Sequence, residues 1–304
     1  MAEEYKSIHT GADIDAAVSR SLPGGAISQA INAKPNPNLL HNWYFGNPVN
    51  QKGESNYEKK TGYTIDRWVI TNTETALLVN SADKSISLSA YEGGIPYLQQ
   101  IIENPTNLFG KTVTLSVLTL TGCFSATSRL PDAFPAGNTL YCNVNGYCDV
   151  LATPNTLSVR LKGPVSEGRD FYAVKLELGS EQTLAHQKNG NWVLNEIPDY
   201  GEELAKCQRY YLALGNLVRY PATRFMSSEI DFIVPLPVTM RGGTPAMVGT
   251  CTVYNGATAQ SGFTFSLAAA GVNAMAIRGS KASHGLTSAN TYLAVNGVAF
   301  DANL

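Results

Sequence analysis

Four tyrosines stand in pairs beside turn residues, Tyr91 and Tyr97 around "YEGGIPY" and Tyr141 and Tyr147 around "YCNVNGY". A tyrosine ring at a strand edge can stack on the apolar face of a pyranose while neighbouring amide or guanidinium groups bond its hydroxyls. Asn143, Asn145 and Arg129 could supply those partners. Ordinary tyrosines at strand edges read the same way, so saccharide stacking and plain architecture both stay open. A second aromatic group, His41, Trp43, Tyr44 and Phe45 in "NLLHNWYFGN", returns later with Trp68. Alternation along a strand puts Trp43 and Phe45 on one side and Tyr44 on the other. These rings, Trp68 included, read as core.

Catalytic patterns are absent from the sequence. The four histidines, His9, His41, His186 and His284, form no H-E-x-x-H, and neither G-x-S-x-G nor a P-loop occurs. "GGAISQA" and "RGGTPAM" lack a phosphate-cradle pattern and read as turns. Glycoside hydrolysis would need two carboxylates facing each other across a cleft. Asp66, Glu92, Asp132 and Asp149 are the acids to inspect, and with 24 acidic residues some such pair arises by chance. The expectation is no catalytic residue and no metal. A structural calcium on loop oxygens stays open, but no acidic cluster marks one here. The five cysteines (Cys123, Cys142, Cys148, Cys207 and Cys251) show no C-x-x-C spacing. They read as buried free thiols rather than disulfides or zinc ligands.

Composition limits the partners. A net charge of −2 provides no electrostatic footprint for nucleic acid or an anionic membrane. No apolar run is long enough to span a bilayer, and "MAEEYKSIHTG" has no signal-peptide pattern, so the expectation is cytoplasmic synthesis without membrane insertion. Hydrophobic residues at 44% with only 15% charged residues describe a folded chain with a neutral polar surface.

These residues must be positioned by mainly β elements, and the chain of 304 residues divides into parts. Residues 1–31 hold a short helix: Thr10 caps with Asp13 three residues on, Ile14, Ala17, Val18, Ser21 and Leu22 form a stripe, and "PGG" ends it. A lone helix of that length is marginal in water and must dock. Ile14, Val18 and Leu22 are its expected oligomerisation or attachment face. "NAKPNPN" marks a linker at 32–37. From 38 to 188, "YTIDRWVI", "TALLVNS", "SISLSAY", "KTVTLSVLTLTG", "NTLYCNVNGY", "NTLSVRLKG" and "FYAVKLELG" read as strands of an antiparallel β-sandwich or jelly roll. "IPYLQQIIENP" reads as an interrupting helix. "NGNWVLNEIPDYG" reads as an exposed linker, and residues 189–304 as a second, smaller β-rich domain. In it "GEELAKCQRYYLALG" runs from one or two helical turns into a strand. "IDFIVPLPVTM", "MVGTCTVYNG", "GFTFSLAAAG", "AMAIRGS" and "NTYLAVNGVAF" supply the other strands.

The order "NLLHNWYFGNPVNQKG", "GYTIDRW", "VKLELGSEQT", "EELAKCQRYY", "VPLPVTMRGGTPAM" resembles phage and prophage tail-fibre or minor structural proteins. "YKSIHTGADIDAAV" is similar to N-terminal segments of phage structural proteins from Gram-positive hosts. The resemblance implies a virion protein with a carbohydrate-binding-module-like jelly roll and a distal β-domain, usually a homotrimer. It implies attachment to other phage structural proteins through the N-terminal segment and a host surface glycan as ligand. A purely structural head fibre or capsid decoration protein is the alternative, and a polysaccharide-trimming enzyme the third reading.

Overall fold

The computed structural model describes residues 15–16, 18–19, 36–91, 93–144, 146–165, 168–215, 218–242, 244–287 and 290–303. Residues 15–16 and 18–19 are helical and Val18 is half exposed. Thr10, Asp13, Ile14, Ala17, Ser21 and Leu22 lie outside the described residues, as does most of the 32–37 linker.

The chain is mainly β, in antiparallel sheets. One six-stranded sheet runs in the order β1 (Asn56–Tyr57), β4 (Thr75–Asn80), β5 (Ser85–Ala90), β12 (Arg169–Leu178), β7 (Thr112–Thr119), β8 (Gly122–Arg129). Another runs β2 (Gly62–Tyr63), β3 (Val69–Ile70), β6 (Tyr97–Ile101), β11 (Leu157–Lys162), β10 (Cys148–Ala152), β9 (Thr139–Val144). Both feed one core: Leu77, Ile86, Leu115, Val117 and Leu176 come from the first, Leu98, Val150 and Val159 from the second. Alternation explains the choice of residues, because every second side chain of a strand points to the same face.

The "NLLHNWYF" segment continues the first sheet beside β12. Leu39 N donates to Leu176 O (2.8 Å), Phe45 N to Tyr172 O (2.9 Å), and Val174 N to Trp43 O (3.1 Å). Trp43 and Phe45 are buried, as their alternation suggests, and so is Trp68. Phe45 and Trp68 meet edge-on at 5.5 Å, and the indole Nε1 donates to Asn42 O at 2.9 Å. This bond satisfies the one polar atom that burial of tryptophan would otherwise strand.

Three local expectations are corrected. "IPYLQQIIENP" forms strand β6 and then a 3-10 turn, Pro105–Leu108, instead of a helix. Burial alternates along Tyr97–Ile101, and the buried Gln100 amide exchanges hydrogen bonds with the backbone of His41, so tertiary pairing overrides helix propensity. "YTIDRWVI" is broken into β2 and β3 by a turn in which Arg67 takes a φ of 71°. "NGNWVLNEIPDYG" is ordered: Ala185–Lys188 (β13) and Asn191–Leu194 (β14) pair as a hairpin. Asn189 and Gly190 at its turn have φ of 52° and 80°, the left-handed pair that Asn-Gly supplies to tight hairpins. The division that the sequence suggests, between residues 188 and 189, falls where β13 enters this turn.

A second core gathers Ile230, Phe232, Val234, Ile277, Leu293 and Phe300. Its sheet runs β19 (Thr258–Gln260), β18 (Ala246–Asn255), β22 (Thr291–Asp301), β16 (Arg219–Phe225), β17 (Glu229–Pro235), β21 (Ala274–Ser280), β20 (Thr264–Ala270), with β15 (Tyr211–Ala213) also on β22. Before β15 lies helix α1 (Tyr200–Gln208), capped by Asp199, whose carboxylate accepts from Glu202 N at 2.9 Å. The helix-to-strand reading of "GEELAKCQRYYLALG" matches this order.

α1 and β15 join the two cores through polar side chains. Asn42 N donates to the near-buried Glu203 at 2.6 Å. The Gln51 amide donates to Tyr211 O (2.5 Å) and accepts from Ala213 N (3.2 Å), acting as a short strand. The Arg67 guanidinium lies 3.5 Å over the Tyr210 ring, whose hydroxyl donates to Glu103, and Arg241 pairs with Glu103 at 3.0 Å.

Candidate functional site

The four tyrosines singled out from the sequence do not form one platform. Lys59 lies 4.3 Å over the Tyr91 ring, and Arg160 lies 4.9 Å over Tyr97. Tyr141 packs against the first core. Tyr147 stacks on Phe124 at 4.7 Å and 13° and carries the Arg169 guanidinium at 4.1 Å. Arg129 is bound to Asp132 at 2.7 Å, and Asn143 is exposed on β9. Asn145 and Glu92 lie outside the described residues. Tyr97 and Tyr147 are linked through Lys162, which faces Tyr97 across the strands and donates its N–H to Tyr147 O (2.8 Å). Each described ring therefore already has a protein partner.

The acids behave in the same way. Asp149 is wholly buried between Arg160, at 2.8 Å, and Lys162. Asp132 serves Arg129, and Asp66 accepts from Gln51 N at 3.1 Å. Asp66 and His41 both sit near the joint with α1, where water is scarce. Burial raises the Asp66 carboxyl to about 7. Burial, then the charge of Arg67, lowers His41 to about 4. Among the described residues no three His, Cys, Asp or Glu side chains gather as a metal site. The five cysteines are free, Cys142, Cys148 and Cys207 buried and Cys123 and Cys251 half-buried. Burial pushes the Cys123 thiol up to about 12 and Cys251 to about 11, so neither is a ready nucleophile.

A different set of rings lines an open groove of about 780 Å³: Tyr44, Tyr172 and Trp192, with Asp83, Lys84, Thr121, Gln187 and Asn191 along its rim. Tyr44 and Tyr172 come from paired backbones, the 38–46 segment beside β12. Trp192 is delivered by the β13–β14 hairpin, which lies against the face of the first sheet turned away from the core. That placement depends on a buried polar layer. Lys175 and Glu177 are fully buried on β12; Lys175 pairs with Glu196 at 2.9 Å, and Glu177 accepts from Thr183 N at 2.7 Å and from its hydroxyl. Each charge removed from water thus receives a partner from the 183–196 segment, as burial requires.

Two glycines let the rings lie close. A Cβ on Gly46 would stand 2.4 Å from the Tyr44 phenol, and one on Gly122 would stand 3.3 Å from the Trp192 Nε1. Among the described residues, neither the tyrosine hydroxyls of the groove nor the indole N–H has an acceptor. Burial, with Asp170 and Asp83 nearby, raises the Tyr172 phenol above its ordinary range, so it remains a neutral donor. Exposed Leu120 and Ile197 widen the apolar lining. Such a surface offers ring faces for C–H groups and unpaired donors and acceptors for hydroxyls. The sequence reading missed it because Tyr44, Tyr172 and Trp192 share no motif; only the exposed Trp after the Asn-Gly turn was a local hint.

Comparison of the chain with protein-family models, with curated proteins and with solved structures gives no match.

Proposed function

We propose that this chain is a non-enzymatic virion fibre protein that binds bacterial surface glycans. The groove of Tyr44, Tyr172 and Trp192 carries the binding part of this reading: three half-exposed rings converge with a polar rim and have spare hydrogen-bonding groups. The virion part rests on the resemblance in the order of sequence motifs. Two six-stranded sheets around one core are in keeping with a carbohydrate-binding-module-like jelly roll, and the second core with a distal domain after it. Assembly as a homotrimer through Ile14, Val18 and Leu22, with the N-terminal segment on the particle, belongs to the same proposal.

The purely structural reading, a head fibre or decoration protein, draws support from the engagement of Tyr91, Tyr97 and Tyr147 by their own cations. A glycan array with wild type, Tyr172→Ala and Trp192→Ala separates the two. Loss of one stacked ring costs on the order of 1 kcal/mol, a several-fold drop in affinity per site. Binding that weakens in both variants supports the groove. A wild type that binds neither glycans nor host cells leaves the structural reading, and release of reducing sugar revives the enzymatic one. Light scattering on the full chain and on a chain lacking residues 1–31 tests the trimer and its location.

A further inference from the structure

Across three neighbouring strands of the second sheet, Tyr254 on β18 faces Tyr292 on β22, and Tyr292 faces Pro221 on β16. The two phenol rings stack at 5.2 Å and 4°, and the Arg219 guanidinium lies 4.7 Å from the Tyr292 ring centre. Since β18 and β16 flank β22 on opposite sides, the stack runs Tyr254, Tyr292, Arg219. On the far side of Tyr254 the edge strand β19 presents Ala259, an exposed methyl too small to cover the ring. Thr252 and Ala294 pair beside the stack and keep the adjoining shelf low.

Hydrogen bonding in this stack is unusually incomplete. Arg219 is exposed, and among the described residues it has no carboxylate partner and neither phenol hydroxyl has an acceptor. A guanidinium held over a ring face makes no hydrogen bond to the ring carbons and leaves its N–H groups free for a planar acceptor such as a carboxylate. The exposed end of the stack is thus an aromatic face, its middle two phenol donors, and its other end an unneutralised planar cation.

We propose that this stack is a second ligand site, distinct from the groove of the first core, and that it takes an acidic oligosaccharide. One pyranose lies on the open face of Tyr254, and the carboxylate of a following uronic acid pairs with Arg219. Two stacking steps separate these ends, longer than a single pyranose, so the ligand is at least a disaccharide.

The test is calorimetric titration of the full chain with trigalacturonate, using maltotriose and a triglutamate peptide as controls. Trigalacturonate is expected to bind more tightly than either. Arg219→Gln should weaken it by about tenfold or more and flatten its salt dependence, because a charge-assisted pair is lost. Tyr254→Ala should weaken it about three- to tenfold through the lost ring, while Tyr254→Phe, which retains the stack, stays within about threefold. Tyr172→Ala should leave this binding unchanged, which separates the site from the groove. Equal affinity for maltotriose overturns the acidic assignment, and equal affinity for triglutamate overturns the saccharide one. Unchanged binding in folded Arg219→Gln and Tyr254→Ala chains, or no binding by wild type, overturns the site itself.

Discussion

Arg169 and Arg219 each lie over a tyrosine that stacks parallel on a further ring, and they differ in what they do with their N–H groups. In the first core, Arg169 covers Tyr147 against Phe124 and also donates to Gly146 O (2.9 Å) and Lys162 O (3.2 Å). In the second, Arg219 covers Tyr292 against Tyr254 and donates to nothing in the described chain. The stacking chemistry is the same, so ring geometry does not separate a structural rivet from a recognition surface. Hydrogen-bond accounting does: a cation whose donors are spent on backbone carbonyls holds loops together, and one whose donors are unspent is available to a ligand.

The largest effect should appear where groups are buried with too few partners, at the joint between the cores. Burial holds the folded Asp66 carboxyl at about 7, against its ordinary value of 3.8. The folded state therefore keeps a proton that the unfolded chain releases, and stability is lost as pH rises from about 4 to 7. His41 works in the opposite sense: folded near 4 against 6.5, it contributes stability above 6.5 that is lost as pH falls toward 4. The two slopes oppose each other in wild type. Asp66→Asn should raise stability at pH 8 by up to about 4 kcal/mol. It should also expose the His41 slope, so that stability falls on acidification below pH 6.5. Urea unfolding across pH checks this, and an unchanged profile in the variant would mean that Asp66 is ionised throughout.

The next effect sharpens the contrast between the stacks directly. Arg169→Ala loses a cation–π contact and two charge-assisted bonds, and should destabilise the chain by about 2 kcal/mol in urea. Equal destabilisation by Arg219→Ala would break the distinction drawn here. Gly46→Ala should cost less stability, about 1 kcal/mol, because its backbone conformation admits alanine and only the Tyr44 ring must move. Its sharper signature is weakened glycan binding at the groove with trigalacturonate binding retained. The smallest effect is Arg219→Ala itself, within about 0.5 kcal/mol of wild type in the same unfolding experiment.

Much of the strand content was legible locally. "KTVTLSVLTLTG" and "FYAVKLELG" alternate with period two and become β7 and β12, and "GEELAKCQRYY" has both its cap and its helix. β8, β10 and β16 were not assigned, because "GCFSATSR", "CDVLA" and "RYPATRF" mix polar and apolar residues without a clean alternation. "IPYLQQIIENP" reads as a helix yet pairs as β6, because an apolar run with paired glutamines suits either period until a neighbour supplies the pairing.

Alternation in "AVKLEL" by itself separates Val174 and Leu176 from Lys175 and Glu177, since a strand turns over at every residue. Whether that second face meets water was decided by the 183–196 segment that lies over it, with Glu196 and Thr183 arriving as partners. The two candidate sites depend still more on distance. Tyr44, Tyr172 and Trp192 meet in one groove, and Arg219, Tyr254 and Tyr292 in one stack, through strand register between distant segments. A periodic pattern extends only a few residues along the chain and so specifies the faces of strands. Which faces meet, and which side chains are left without partners there, is set by pairing between segments that no local pattern connects.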